Sequence, residues 1–68
     1  MELSARNQLR GTITNVKLGG IMAEVTMDVG GQEVVAAITR GSVERLGLAT
    51  GQPAIAVIKA TEVLIAKP

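Results

Sequence analysis

The stretch 18-LGGIMAEVTMDVGGQ-32 decides how this chain folds. Paired glycines stand near both ends, Gly19-Gly20 and Gly30-Gly31. Between them Ile21, Ala23, Val25, Met27 and Val29 alternate with Met22, Glu24, Thr26 and Asp28. A period of two puts the first set on one face and the second on the other, the pattern of a half-buried strand. Two-glycine steps between extended runs are hairpin signals, because a type I′ turn takes positive φ at both central residues. The stretch therefore predicts a strand over Ile21–Val29, joined by tight turns to a strand on either side.

Upstream lies Leu9–Leu18, LRGTITNVKL, rich in Thr, Ile and Val and so inclined to strand. Leu9, Gly11 and Ile13 share one phase, whereas Val16 and Leu18 share the other. Such a phase change predicts a bulge or bend. Downstream, Gln32–Ile38 (QEVVAAI) is apolar in both phases from Val34 onward, which predicts a third strand covered on both sides. Ser42 is a candidate N-cap for a short helix over Val43–Leu46, with Val43 and Leu46 facing inward and Gly47 as its C-terminal stop. Ala49–Pro53 reads as a loop, Ala54–Ile58 as a fourth strand, and Val63–Ala66 as a short fifth. The expected fold is all-β: a single domain over residues 1–68, a five-stranded OB-like Greek-key barrel with one short helix between strands 3 and 4.

Composition limits what such a barrel does. A domain of this size buries only about 60% of the surface its unfolded chain exposes. Disulfides, a structural metal or oligomerisation are the usual remedies. Cys and His are both absent, so oligomerisation is the expected one. Hydrophobic residues make up 47% of the chain without a single aromatic, more aliphatic surface than one small barrel hides. Net charge is +1. A balanced charge and no stacking platform argue against nucleic acid, although OB barrels often bind it. No apolar run is long enough to span a membrane, and the start lacks the basic and apolar regions of a signal peptide. The expectation is a cytoplasmic protein with no membrane or nucleic-acid partner.

Without His or Cys, enzyme constellations reduce to a Ser–Lys pair, Ser4 or Ser42 with Lys59, and nothing local supports one. The expectation is a protein that is not an enzyme. Three breaks in the apolar pattern instead carry hydrogen-bond donors. They are Ser4, Arg6, Asn7 and Gln8 before the first strand, Thr39 and Ser42 at the helix start, and Lys59 and Thr61 after the fourth strand. Arg and Lys donate without accepting, and hydroxyls turn to donate. The helix start adds free N–H groups. A donor set with one or two cations suits a small divalent oxyanion. Each residue also has a plainer reading: Ser42 as a cap, Thr39 and Thr61 as strand-end residues, Arg6 and Lys59 as solvated charges. Spacing alone does not bring the three segments together.

Ser4-Ala5-Arg6-Asn7-Gln8-Leu9 with Gly11 resembles the SARNQ motif that opens the small molybdenum-pterin-binding proteins, the molbindins. The resemblance continues through Met22–Val25, Ala36–Thr39 with Ser42-Val43, Leu46–Leu48, Gly51 and Val57–Val63, essentially the whole chain. The same module forms molybdate-sensing and TOBE domains of larger proteins. The resemblance implies an OB-like barrel assembled as a homohexamer, a trimer of dimers, that binds molybdate, and tungstate comparably, at subunit interfaces. It implies that Ser4, Ala5, Arg6 and Asn7, with Lys59 and Ala60, form one part of the oxyanion shell. Thr39 and Ser42 of a neighbouring subunit would complete it. Molybdenum would be held as molybdate, with no direct metal ligands. No pterin is expected, since pterin pockets commonly stack the ring on aromatics. The expected role is molybdenum storage or homeostasis; the alternative is a molybdate-responsive regulatory or assembly module acting on a partner in trans.

Overall fold

Gly30 and Gly31 take φ of 58° and 85°, and Val29 pairs with Gln32 across them, so this turn is the two-residue hairpin the sequence predicts. The computed structural model describes residues 1–68. Its strands are β1 (Asn7–Leu18), β2 (Met22–Val29), β3 (Gln32–Thr39) and β4 (Pro53–Ile58). A helix, α1 (Arg40–Leu46), follows β3, and a single 3-10 turn, Ala60–Glu62, follows β4. All three strand pairings are antiparallel, in the order β3-β2-β1-β4. Pro53 is tolerated because it opens its strand. No helix is long and apolar enough to cross a membrane.

The Gly19-Gly20 connection differs from the expected type I′ turn. Neither glycine takes positive φ, and Ile21 belongs to the connection rather than to β2. Gly19 is needed there for a different reason. Its N–H donates to Met22 O at 2.8 Å, and a Cβ on it would lie 2.7 Å from the same oxygen.

The phase change in β1 is a bulge. Ile13 pairs with Met27 but Asn15 pairs with Thr26, leaving Thr14 without a partner. The Thr14 hydroxyl donates to Thr26 O at 3.2 Å across the gap. Before the bulge Ile13 points inward and is 1% exposed; after it the inward phase passes to half-buried Val16. As a central strand, β1 serves two partners along offset segments: residues 12–18 pair with β2 and residues 7–12 with β4.

Ile13, Ala23, Val25, Met27 and Val43 form the core, with Val16, Val29, Ile38, Leu48, Ala54 and Ala56 packed around it. Ala23, Val25 and Met27 are the middle of the predicted inward set; Ile21 at its start is exposed. Helix α1 begins three residues earlier than predicted. Thr39, not Ser42, is its N-cap: Thr39 Oγ1 accepts the Ser42 N–H at 3.1 Å. At the other end Gly47, at φ 63°, donates to Glu44 O at 3.2 Å, and Leu48 N–H reaches Val43 O at 3.1 Å. This is the paired closure of a Schellman motif. Val43 faces the core as predicted, whereas Leu46, also expected inward, lines the open aliphatic trough and stays 62% exposed because no strand of the chain covers it there.

The sheet has four strands, not five. Val63–Ala66 carries no regular structure, and Leu64 and Ile65 are 91% and 90% exposed. A strand exists only by pairing, and no strand of the same chain pairs with this segment. Strands β3 and β4 are consequently open edges, and the sheet curls around its core without closing into the predicted five-stranded Greek-key barrel. Nor is β3 covered on both faces: Val35 and Ala37 are exposed. Only six of 68 residues are buried, and an open trough of about 630 Å³, lined almost wholly by aliphatic side chains such as Val34, Ile38, Leu48 and Ile55, runs along the inner face. One chain leaves much of its aliphatic surface in water.

Candidate functional site

The central strand β1 sets where the candidate residues lie. Its first residue, Asn7, pairs with Ile58, the last residue of β4. Antiparallel pairing therefore puts Ser4-Ala5-Arg6 and Lys59-Ala60 side by side, just beyond the same end of the ladder. Asn7 and Ala5 are half-buried; Ser4, Arg6, Lys59 and Ala60 are exposed. The approach to β1 is shaped locally, since Gln8 Nε2 donates to Ala5 O at 3.1 Å. After β4 the chain reverses through the 3-10 turn, with Glu62 N–H donating to Lys59 O at 2.9 Å. Arg6 and Lys59 enter no ion pair within the chain, where Arg40–Glu44 is the pair observed.

Thr39 and Ser42 lie elsewhere. Thr39 pairs with Met22 at the start of β2, and the adjoining Ala23 pairs with Leu18 at the far end of β1. Asn7 and Leu18 are the two ends of a 12-residue strand. At about 3.3 Å per residue a straight strand of that length approaches 36 Å, comparable with the 35 Å longest extent of the molecule, although the bulge shortens the path. The fold thus gathers Ser4, Ala5, Arg6, Asn7, Lys59 and Ala60 at one end and holds Thr39 and Ser42 at the other.

The second end has its own order. The Thr39 hydroxyl donates to Ser42 Oγ at 2.7 Å while its oxygen accepts the Ser42 N–H. One hydroxyl proton is taken up between the two oxygens, and the other is left to donate outward. Beside this pair stands Arg40, which sequence reasoning passes over. Its backbone N–H donates to Ile21 O at 2.7 Å and its Nη1 to Gly19 O at 3.1 Å. Glu44 Oε1 lies 3.7 Å from its Nε. These partners are mostly backbone carbonyls, which have no signature in a sequence; the one available signal is a cation opening a helix whose first turn holds no acid.

No group of three or more His, Cys, Asp or Glu residues is placed to hold a metal ion. What both ends offer is N–H and O–H donors, with cations free of an ion pair at the first (Arg6, Lys59) and the paired Arg40 at the second, the chemistry for an anion that accepts on every face.

The family model described as the TOBE domain matches residues 3–65, nearly the whole of this small antiparallel sheet and its helix. The chain belongs to the molybdenum-pterin-binding family, the molbindins, within that class. It is 46% identical over 66 residues to molybdenum-pterin-binding protein 1 of Clostridium pasteurianum, covering 96% of this chain and 97% of that one. Among solved structures it is similar to a molybdate-binding protein from Sporomusa ovata, with a TM-score of 0.94, 43% identity, and 98% and 100% of the two chains covered. It is also similar to the cytoplasmic molybdate-binding protein ModG in a form with molybdate bound. There the TM-score is 0.84 at 46% identity, over 88% of this chain and 43% of ModG.

Proposed function

We propose that this protein binds molybdate, and tungstate comparably, at sites formed between copies of the chain, and that it serves molybdenum storage and homeostasis in the cytoplasm. The observation that carries the reading is the separation of the donor groups to opposite ends of β1. Neither end alone surrounds an anion, whereas the first end of one copy against the second end of another would. Arg6 and Lys59 would offset the dianion's charge, and charge-assisted hydrogen bonds are the stronger kind. Ser4, Thr39, Ser42 and backbone N–H groups around Ala5, Asn7 and Ala60 would complete the shell. A shell of donors without carboxylates disfavours an anion that brings its own proton, such as hydrogen phosphate. Preference for molybdate over sulfate then rests on the size of the assembled cavity.

The uncovered aliphatic trough and the exposed Leu64 and Ile65 support a homo-oligomer, and the assembly we propose is a hexamer, a trimer of dimers. Oligomerisation is how a domain this small hides surplus apolar surface. The bound group is the free oxyanion rather than a pterin complex, since no aromatic side chain exists to stack on a pterin ring. Calorimetric titration of the purified protein with molybdate, tungstate and sulfate tests the reading. Saturable binding of the first two at micromolar concentration, without sulfate binding, is expected; no saturable molybdate binding would sink it.

A further inference from the structure

We propose that Arg40 is a positioning residue for the Thr39–Ser42 half of the oxyanion site, an inference that rests on the molybdate reading above. A cation at the first position of a helix meets the positive end of the backbone dipole, and here no acid in the first turn relieves it. Arg40 is nevertheless tied down at three points. Its N–H donates to Ile21 O at 2.7 Å, its Nη1 to Gly19 O at 3.1 Å, and its Nε faces Glu44 at 3.7 Å. The preceding residue, Thr39, pairs with Met22. Residues 39 and 40 are thus fastened along the whole β1–β2 connection.

That connection has little else to fix it. Ile21 is exposed, and Gly20 has open space where a side chain would be. The one rigid element is Gly19, held through its N–H to Met22 O, and its carbonyl is the group the guanidinium grips. Arg40 therefore couples the turn to the first turn of α1, where the Thr39 and Ser42 hydroxyls hydrogen-bond to each other and leave one proton for an outside acceptor. Its side chain is 43% exposed, so it acts on geometry more than on the core. Lysine does not substitute. A guanidinium is a planar fork that engages Gly19 O and Glu44 together, whereas an ammonium is a point charge on a flexible stem.

The test compares the wild-type protein with Arg40→Gln, Arg40→Lys and Arg45→Gln by molybdate calorimetry, at a temperature where thermal melts show every variant fully folded. Amide hydrogen exchange at Ser42 is followed by NMR on the same samples. Arg45 is an exposed cation in the last turn of α1 and controls for net charge. Arg40→Gln and Arg40→Lys are expected to bind about three- to tenfold more weakly, with faster exchange at Ser42, while Arg45→Gln binds as wild type does. Wild-type affinity in Arg40→Gln overturns the proposal. So does full rescue by Arg40→Lys, which would make charge alone the cause, or an equal loss in Arg45→Gln. Should Arg40→Gln not fold, Arg40→Lys decides by the same criterion. A wild-type protein that fails to bind molybdate removes the underlying reading and this one with it; a wild-type binder indifferent to Arg40 removes only this one.

Discussion

Replacing Gly11 by alanine sets two physical effects against each other, and the structure says which wins. Glycine within a strand costs roughly 0.5–1 kcal/mol relative to alanine through backbone entropy, so propensity alone makes Gly11→Ala stabilising. Gly11, however, sits where β1 stops pairing with β2 and continues against β4 alone. A Cβ there would lie 2.2 Å from Asp28 O and 2.9 Å from Val29 Cγ2. The first is a backbone atom in a paired strand and moves only if β2 moves. Overpacking of this kind costs about 1–3 kcal/mol, sometimes more, and a clash this deep with backbone belongs at the upper end. The net loss is about 1–2.5 kcal/mol, against a total of about 3–10 kcal/mol for a domain of this length. At about 4–8 °C per kcal/mol, the melting temperature should fall by roughly 5–20 °C. Thermal and urea unfolding, at one protein concentration because assembly would shift the midpoint, measure it. Gly20→Ala is the control: φ is not positive and nothing stands within 4 Å, so a gain of about 0.4–1 kcal/mol is expected. A Gly11→Ala protein as stable as wild type would refute the steric argument, and equal behaviour of the two alanine variants would refute the distinction between them.

Other expectations follow from the two ends of β1. Arg6→Ala should weaken molybdate binding about tenfold or more while leaving the melting temperature within a few degrees, because Arg6 is exposed and packs nothing; calorimetry beside a thermal melt checks both. Thr39→Val should lose about 1 kcal/mol of stability through the lost cap and also weaken molybdate binding, whereas Thr39→Ser should retain most of both; urea unfolding and titration separate the effects. Leu64→Asp with Ile65→Asp should leave the circular dichroism of the sheet intact yet shift sedimentation toward smaller species, since both side chains are almost wholly exposed in the single chain. An unchanged sedimentation profile would show that this tail takes no part in assembly.

Features set by neighbours in sequence were the legible ones. The Gly30-Gly31 turn, the inward set Ala23, Val25 and Met27, the bulge between Ile13 and Asn15, and Gly47 at the end of α1 all depend on residues within a few positions. The helix start is not fixed by sequence, because Thr39 and Ser42 are both good caps three residues apart, and the choice falls to whichever hydroxyl meets the free N–H groups. The absence of a fifth strand has a different cause. Val63–Ala66 has the composition of a strand, but strand formation needs a partner, and composition does not say whether the chain itself supplies one. At the candidate site the donor residue types could be read directly. Their division between two ends could not, because it follows from strand order β3-β2-β1-β4 rather than from spacing.

The division of the donors between the two ends of β1 also has an arithmetic consequence. Each chain owns one end bearing Arg6 and Lys59 and one bearing Thr39 and Ser42. A site that needs one of each uses up both ends of a chain once, whatever the number of chains and whether they meet around a twofold axis or head to tail in a ring. Composite sites therefore saturate at one oxyanion per chain. A ratio above one in a titration counts sites of another kind, built from surfaces other than these two ends.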